Sequence, residues 1–382
     1  LELSPPRGPQ PYREAPLSTH QVAETRANPR DSVGSTLPML NDSPALAFCR
    51  EVLPAVSRTF ALNIPVLPAP LDTAVLVAYL LCRIADTLED EVRGPASAVL
   101  LAELARLSTL PEGWREDARR FREEAARELR AQAPEAEVRL VEGTDRVLEA
   151  LGEHAAPVRE HVATCLRLMT EGMGRMGSKG RASGGGLGLD SLEETLEYCY
   201  YVAGTVGEML TRLFEWYSPT IAGRAGALEP RSVAFGNALQ LTNILKDVRE
   251  DLERGFCWLP RTVLAEHGLT PEALLEPGNR GAALEAHGRL VAVAHRELRQ
   301  AFEYVMGLPR EEHGIRLFCL WPLFLAVMTL RKLYGNGRVF EPGPVKVSRR
   351  TVKWVVAATK LLVARDGALK LMFAALTAPL PA

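Results

Sequence analysis

An all-α fold in a single domain is what this sequence predicts, on three observations. From Ser43 onward, apolar residues recur at spacings of three and four, the period of a helix face. Leu, Ala, Glu and Arg dominate that stretch, all strong helix formers. No strand-type alternation of Val and Ile interrupts it. Residues 1–43 differ: they are rich in Pro, Arg and Ser with little periodicity, and are expected to form a disordered leader before a domain over 44–377.

The first helical block is expected over 44–56, ending at Ser57-Arg58. The connector Pro65–Pro70 separates it from a block over 69–92, which carries the apolar run VLVAYLLCRIA. Blocks over 96–108 and 115–132 flank Pro111-Glu112-Gly113, and a long one follows over 137–175. The glycine-rich stretch between Glu171 and Leu192 lacks the GxxxxGK[ST] spacing and a preceding strand, so it reads as a flexible surface loop rather than a phosphate cradle. Further blocks are expected over 190–217 and 228–253, then, past Leu259-Pro260, over 270–275, 280–306, 312–334 and 348–377.

Composition excludes several classes. The 382 residues carry a formal net charge of −2 and no basic run interleaved with aromatics, so no nucleic-acid partner is expected. The six cysteines (Cys49, Cys82, Cys165, Cys199, Cys257 and Cys319) form no C-x-x-C, which argues against a zinc or disulfide framework and fits a reducing cytosol. The first residues place prolines and charges where a signal peptide would be apolar, and no uncharged apolar run reaches 18 residues; neither a signal peptide nor a membrane span is expected.

Two acidic clusters carry the chemistry. In AYLLCRIADTLEDE, Asp86, Glu89 and Asp90 share a helix face, with Arg83 one turn earlier. In LQLTNILKDVREDLERG, Asn243, Asp247 and Asp251 fall at i, i+4 and i+8, one continuous stripe. A single acidic cluster is usually a solvated face. Here the flanks are too apolar for surface helices, few Lys or Arg stand at i+4, and the pattern recurs roughly 160 residues later. Buried carboxylates need a cation. Two such ledges facing each other across a helical cavity suit Mg²⁺, which takes oxygen ligands and is commonly shared with substrate phosphates. Diphosphate chemistry follows.

Three more segments are ambiguous taken singly. Ser57-Arg58-Thr59-Phe60 reads as a helix end, Tyr198 to Gly207 as core aromatics with glycines for close packing, and Phe318-Cys319-Leu320-Trp321-Pro322 as core. Taken together and in this order, SRTFALNIPVLP, CRIADTLEDE, YCYYVAGTVG and LQLTNILKDVREDLERG resemble the squalene and phytoene synthase family of head-to-head prenyl transferases, over roughly Ser43 to Lys370. The resemblance implies the isoprenoid synthase fold, all-helical around a central apolar cavity, in which two prenyl diphosphates condense. It implies Mg²⁺ ligands at Asp86, Glu89, Asp90, Asn243, Asp247 and Asp251, with Arg58 and Arg83 gripping phosphate oxygens. Catalytic roles fall to Tyr198, Phe318, Asp86, Asp90, Asp247 and Asp251, and substrate contacts to Ser57, Arg58, Phe60, Tyr79, Arg83, Tyr201 and Gln240. Tyr79, Tyr198 and Phe318 match positions that wall an allylic cation, and Tyr198 also matches a proton acceptor. A phenol of ordinary pKa near ~10 is a weak base, so a nearby diphosphate would have to assist it.

The family has a branch that reduces presqualene diphosphate with NADPH and branches that finish without a reductant. FCLWPLFLAVMTLRKLYGNGRVFEPGPVKVSRRTVK resembles the squalene branch, which takes farnesyl diphosphate; this implies Lys346 and Arg349 on NADPH phosphates, with Asn336 near the same cleft. DTLED is also the squalene-type variant. By contrast, TNILKDVREDLERG followed by an aromatic and LP has bacterial phytoene-synthase phrasing, Ser348 stands where a basic residue is common, and Phe256 replaces an arginine. The expected activity is therefore that of the squalene branch. The alternatives are phytoene or dehydrosqualene formation, arrest at presqualene diphosphate or release as hydroxysqualene. A catalytically inactive relative acting as an assembly factor is expected to lose its carboxylates, and here both ledges are complete. Eukaryotic members of the squalene branch end in a membrane-spanning helix. The tail VKWVVAATKLLVARDGALKLMFAALTAP instead pairs apolar residues with Lys353, Lys360, Arg365 and Lys370, which fits a helix lying on the inner membrane face as well as one packed on the domain. A cytoplasmic protein, peripheral at that membrane and a monomer or weak homodimer, is expected.

Overall fold

The computed structural model of the chain describes residues 43–129, 133–180 and 187–382, and among these there is no β-strand. The expected leader lies outside them except for Ser43, whose Oγ accepts from Leu46 N at 3.0 Å and caps α1 (Pro44–Val56). Ser57 is extended, ends α1 and caps α2 (Arg58–Asn63) by accepting from Phe60 N at 3.2 Å. Next comes α3 (Leu71–Glu91), with buried residues on nearly every side, from Leu71 and Val77 to Ile84 and Leu88. A helix apolar around its circumference belongs in a core. Beside it run α4 (Pro95–Ser108) and α5 (Trp114–Leu129).

The block expected over 137–175 is three helices: α6 (Glu135–Glu142), α7 (Thr144–Gly152) and α8 (Ala156–Gly180). The first break falls at Gly143, where a Cβ would meet Phe48 Cζ of α1 at 2.1 Å. The glycine-rich stretch expected as a loop is helical as far as Gly180, while 181–186 lie outside the described residues. Met173 and Met176 are buried there, so that part of the stretch has an apolar face to pack.

The next block is also interrupted. α9 (Leu192–Cys199) passes through one π-helical turn, Tyr200–Gly204, into α10 (Thr205–Tyr217). After α11 (Pro219–Ala222), α12 (Ala225–Lys246) lies backbone to backbone on that turn. A Cβ on Gly236 would sit 2.0 Å from Ala203 O, and one on Gly207 2.1 Å from Ser232 O. Then follow α13 (Val248–Glu253), α14 (Arg261–Glu266), α15 (Arg280–Gly307) and α16 (His313–Leu333). α12 packs along α10, α15 and α16. The expected 348–377 block is two helices, α17 (Arg349–Leu362) and α18 (Asp366–Thr377).

By length and composition α16 is apolar enough to cross a membrane, but 61% of its apolar window is buried inside the protein. Its Arg316 is fully buried, donating to Leu308 O at 2.8 Å and to Asp366 Oδ1 of α18 at 2.6 Å. All six cysteines are free thiols and buried.

Candidate active site

The first acidic ledge occupies the last two turns of α3. Asp86 and Asp90, one turn apart, are half-exposed along one line, while Glu89 is buried. No basic residue stands in the last turn of α3, so from their own helix these carboxylates have only Arg83, one turn earlier, to offset the negative end of the helix dipole. Arg83 Nη1 lies 3.9 Å from Asp86, and its other arm bonds Glu137 of α6, which also takes a 3.3 Å bond from Thr87. Burial pushes the Asp86 carboxyl up to about 7; Arg83 opposes this, and Asp90 and Glu137 add to it. Asp90 is raised for the same first reason, against Arg254 and Arg83.

The second ledge sits where α12 ends. Asp247, with φ −104° and ψ 15°, caps α12 and opens α13, so the stripe Asn243–Asp247–Asp251 bends instead of following one straight helix. The i+4 bonds nevertheless continue across it, from Asp247 N to Asn243 O and from Asp251 N to Asp247 O, both 2.9 Å. Lys246 bridges the two residues at the bend: its Nζ lies 3.0 Å from Asp247 Oδ2 and 3.3 Å from Asn243 Oδ1. Burial, then Asp247 and Asp90, push the Asp251 carboxyl up to about 7.

The ledges face each other. Arg254, just past α13, reaches Asp90 O at 3.3 Å, Asp90 Oδ1 at 3.5 Å and Glu91 Oε1 at 3.2 Å. Beneath the first ledge, Tyr198 donates to Glu89 Oε2 at 3.3 Å and stacks on Trp258, with centroids 3.9 Å apart and an interplanar angle of 5°. Burial, followed by Glu89, Asp90 and Asp86, holds the Tyr198 phenol well above its ordinary pKa, so it is firmly protonated.

Other expected residues divide. Phe60 and Tyr79 pair at 4.5 Å, and burial raises the Tyr79 phenol while the Ser57 hydroxyl works against it, which groups Ser57, Phe60 and Tyr79 one turn before Arg83. Phe318 is buried against Phe214 at 6.2 Å, and its carbonyl accepts from Asn63 at 2.9 Å. Arg58 is exposed and Gln240 half-buried on α12. Tyr201 instead packs on α8, over Gly172 and under the Arg175 guanidinium at 4.8 Å. Lys346 and Arg349 are exposed. Asn336 is committed at both ends of its amide, accepting from Arg338 N at 3.1 Å and donating to Lys332 O at 2.9 Å, so it shapes the loop before Lys346. That segment is tied to the second ledge by Arg249, which donates to Phe340 O at 3.0 Å.

Three residues of the site escaped the sequence reading. Arg254 and Trp258 lie within and just after the DLERG motif, a signal that was available. Glu137 stands in a charge-rich helix, and nothing local distinguishes it from its neighbours.

The facing donors are oxygens, the set a hard divalent cation takes. Among the described residues no three His, Cys, Asp or Glu side chains close into a ready cage. A cation held between these oxygens would have to complete its shell with further oxygens, from water or a bound phosphate.

The architecture is the all-α isoprenoid synthase fold. A solved complex of TcSQS with a ligand aligns over 89% of this chain and 93% of its own, with a TM-score of 0.68 at 23% identity. A dehydrosqualene synthase in complex with a ligand aligns over 84% and 96%, with a TM-score of 0.59 at 22% identity. The squalene/phytoene synthase family profile matches residues 53–351, and the chain belongs to that family. It is 29% identical over 311 residues to a squalene synthase of Gibberella zeae (81% of this chain, 63% of that protein). It is 30% identical over 297 residues to that of Schizosaccharomyces pombe (77% and 60%). It is 36% identical over 177 residues to a 15-cis-phytoene synthase of Enterobacter agglomerans (46% and 55%). The chain thus spans about three-fifths of the length of the curated relatives it matches.

Proposed function

We propose that this protein condenses two farnesyl diphosphates head to head through presqualene diphosphate and reduces that intermediate with NADPH to squalene. The observation that carries the reading is the convergence of Asp90 and Asp251, from segments far apart in sequence, under the Arg254 clasp. The squalene synthases among the relatives favour this branch.

Asp86, Asp90, Asn243, Asp247 and Asp251 would hold Mg²⁺, with Glu89 joining through Oε1 while its Oε2 keeps the bond from Tyr198. When bound, the ion supplies positive charge that makes diphosphate a better leaving group. Arg83, fixed by Glu137, and Arg58 orient the diphosphate by charge-assisted bonds. Tyr79, Phe318 and the Tyr198–Trp258 stack exclude water and present aromatic faces to the allylic cation. Tyr198 Oη accepts the departing proton while passing its own toward Glu89 Oε2, a relay that spares the weakly basic phenol from ever becoming a free cation. Lys346 and Arg349 would hold NADPH phosphates, the cofactor supplying hydride.

A second reading, a synthase that finishes without a reductant, is favoured by the phytoene synthase relative at 36% identity. Incubation with farnesyl diphosphate and Mg²⁺, with and without NADPH, separates the two by mass identification of the product. The proposal expects squalene only with NADPH, consumed one for one. A fully converted polyene formed without NADPH consumption selects the second reading, and no condensation by folded protein overturns both. Lys346→Ala with Arg349→Ala should accumulate presqualene diphosphate while condensation continues, since each lost charge-assisted contact weakens cofactor binding by about 1.5–3 kcal/mol.

A further inference from the structure

The outer face of the last two helices differs from the rest of the surface. Inward, α17 and α18 are held by buried Val355, Thr359, Leu369 and Phe373, by Trp321 Nε1 donating to Thr359 Oγ1 at 3.0 Å, and by the pair between Asp366 and buried Arg316. Their outward face is therefore fixed. On it stand Trp354, 48% exposed, Leu361, 69%, and Leu371, 75%; the other large exposed hydrophobics among the described residues, Leu62, Val99 and Tyr334, lie on other elements. Lys353-Trp354 and Lys360-Leu361 repeat at seven residues with exposed Ala357 between them, so they share one face of α17. Lys370-Leu371 repeats the pairing on α18, followed by exposed Ala374 and Ala375.

Charge is equally lopsided. From Val345 onward the sequence has seven lysines and arginines and one acidic residue, Asp366, in a chain whose net charge is −2. Asp366 is already engaged by Arg310 and Arg316. Lysines set directly beside exposed apolar side chains are the pattern of an element lying in the interface of an anionic bilayer, with its cations on headgroup phosphates. Tryptophan favours the same depth. A second copy seated on this face would set like charges against each other, which opposes self-association.

We propose that the α17–α18 outer face docks this protein on an anionic phospholipid bilayer, with Trp354, Leu361 and Leu371 entering the interface and Arg350, Lys353 and Lys370 on the lipid phosphates, while the Lys360 ammonium stays over the Trp321 ring at 5.7 Å. None of these residues belongs to the acidic ledges, so docking and catalysis are separable. The test is flotation of the full chain with vesicles of phosphatidylcholine alone or mixed with phosphatidylglycerol. Binding at least tenfold stronger to the mixed vesicles, weakening as salt rises, is expected. Each basic side chain near such a surface contributes about fivefold, so Arg350→Gln/Lys353→Gln/Lys370→Gln should lose on the order of a hundredfold. Trp354→Ser/Leu361→Ser/Leu371→Ser should also come off the vesicles, and both variants should keep the wild-type melting profile because the altered side chains are exposed. Binding undiminished in both variants, or no binding to either vesicle, overturns the proposal. So does a concentration-dependent dimer that the apolar variant abolishes in the absence of vesicle binding; it would assign the face to a second copy.

Discussion

The two acidic ledges bear the same chemistry on different supports. Asp86 and Asp90 sit on an unbroken 21-residue helix with fifteen buried residues, and Arg83 beside them is anchored to α6 through Glu137. Asp247 and Asp251 sit at a helix break, and the six-residue α13 buries only Val248. Few buried contacts mean a low cost of local opening. The first ledge is thus a platform and the second an arm, and Arg254 fastens the arm to the platform. The α3 carboxylates are therefore held more firmly in their spacing than those at the α12–α13 break.

The largest expected effect ignores the difference in support. Asp86→Asn and Asp247→Asn should each lower turnover on the order of a thousandfold, comparable to removing one preorganised charge-stabilising group from an active site. Neither should lose stability without metal, because clustered carboxylates repel one another. Steady-state product formation beside thermal melts would check this, and a folded variant with near-normal turnover would remove that residue from the site.

Asp366→Ala is the opposite case, a carboxylate that holds the fold. Fully buried Arg316 would lose its charged partner, at a cost of about 3–5 kcal/mol read by chemical denaturation. Turnover per folded molecule should not change. A smaller effect separates arm from platform: Arg254→Ala releases the clasp, and KM for the prenyl diphosphate should rise roughly tenfold. Stability should change by less than about 1 kcal/mol, because the pair is solvent-screened with Arg254 36% exposed. A large stability loss with unchanged KM would make Arg254 a fold element instead.

The platform was legible in the sequence and the arm only in part, for a physical reason. Along α3 the apolar pattern and the Asp86–Asp90 spacing are local properties of one regular helix, and the expected 69–92 block lies close to Leu71–Glu91. The bend at Asp247 leaves the helical period of the side chains unbroken, so periodicity alone expects one helical block over 228–253. The same applies to the π turn at Tyr200–Gly204, on which Gly236 packs closely, and to the break at Gly143 under Phe48. The glycines of Gly172–Gly180 suggested a loop, but Met173 and Met176 supply enough buried surface to keep α8 helical. Glu137 is one acidic residue among many until α6 is folded against α3. Tyr201 is a neighbour of Tyr198 in sequence, yet its ring is committed to α8.

The central claim is that platform and arm act on one diphosphate through a shared divalent cation. Calorimetric titration with a non-hydrolysable farnesyl thiodiphosphate tests it directly, since it reads binding without turnover. Binding should require Mg²⁺, vanish on chelation, and be lost in Asp86→Asn and in Asp247→Asn alike, although the two residues stand on separate helices. Binding that survives chelation, or that depends on one ledge and ignores the other, would contradict the account.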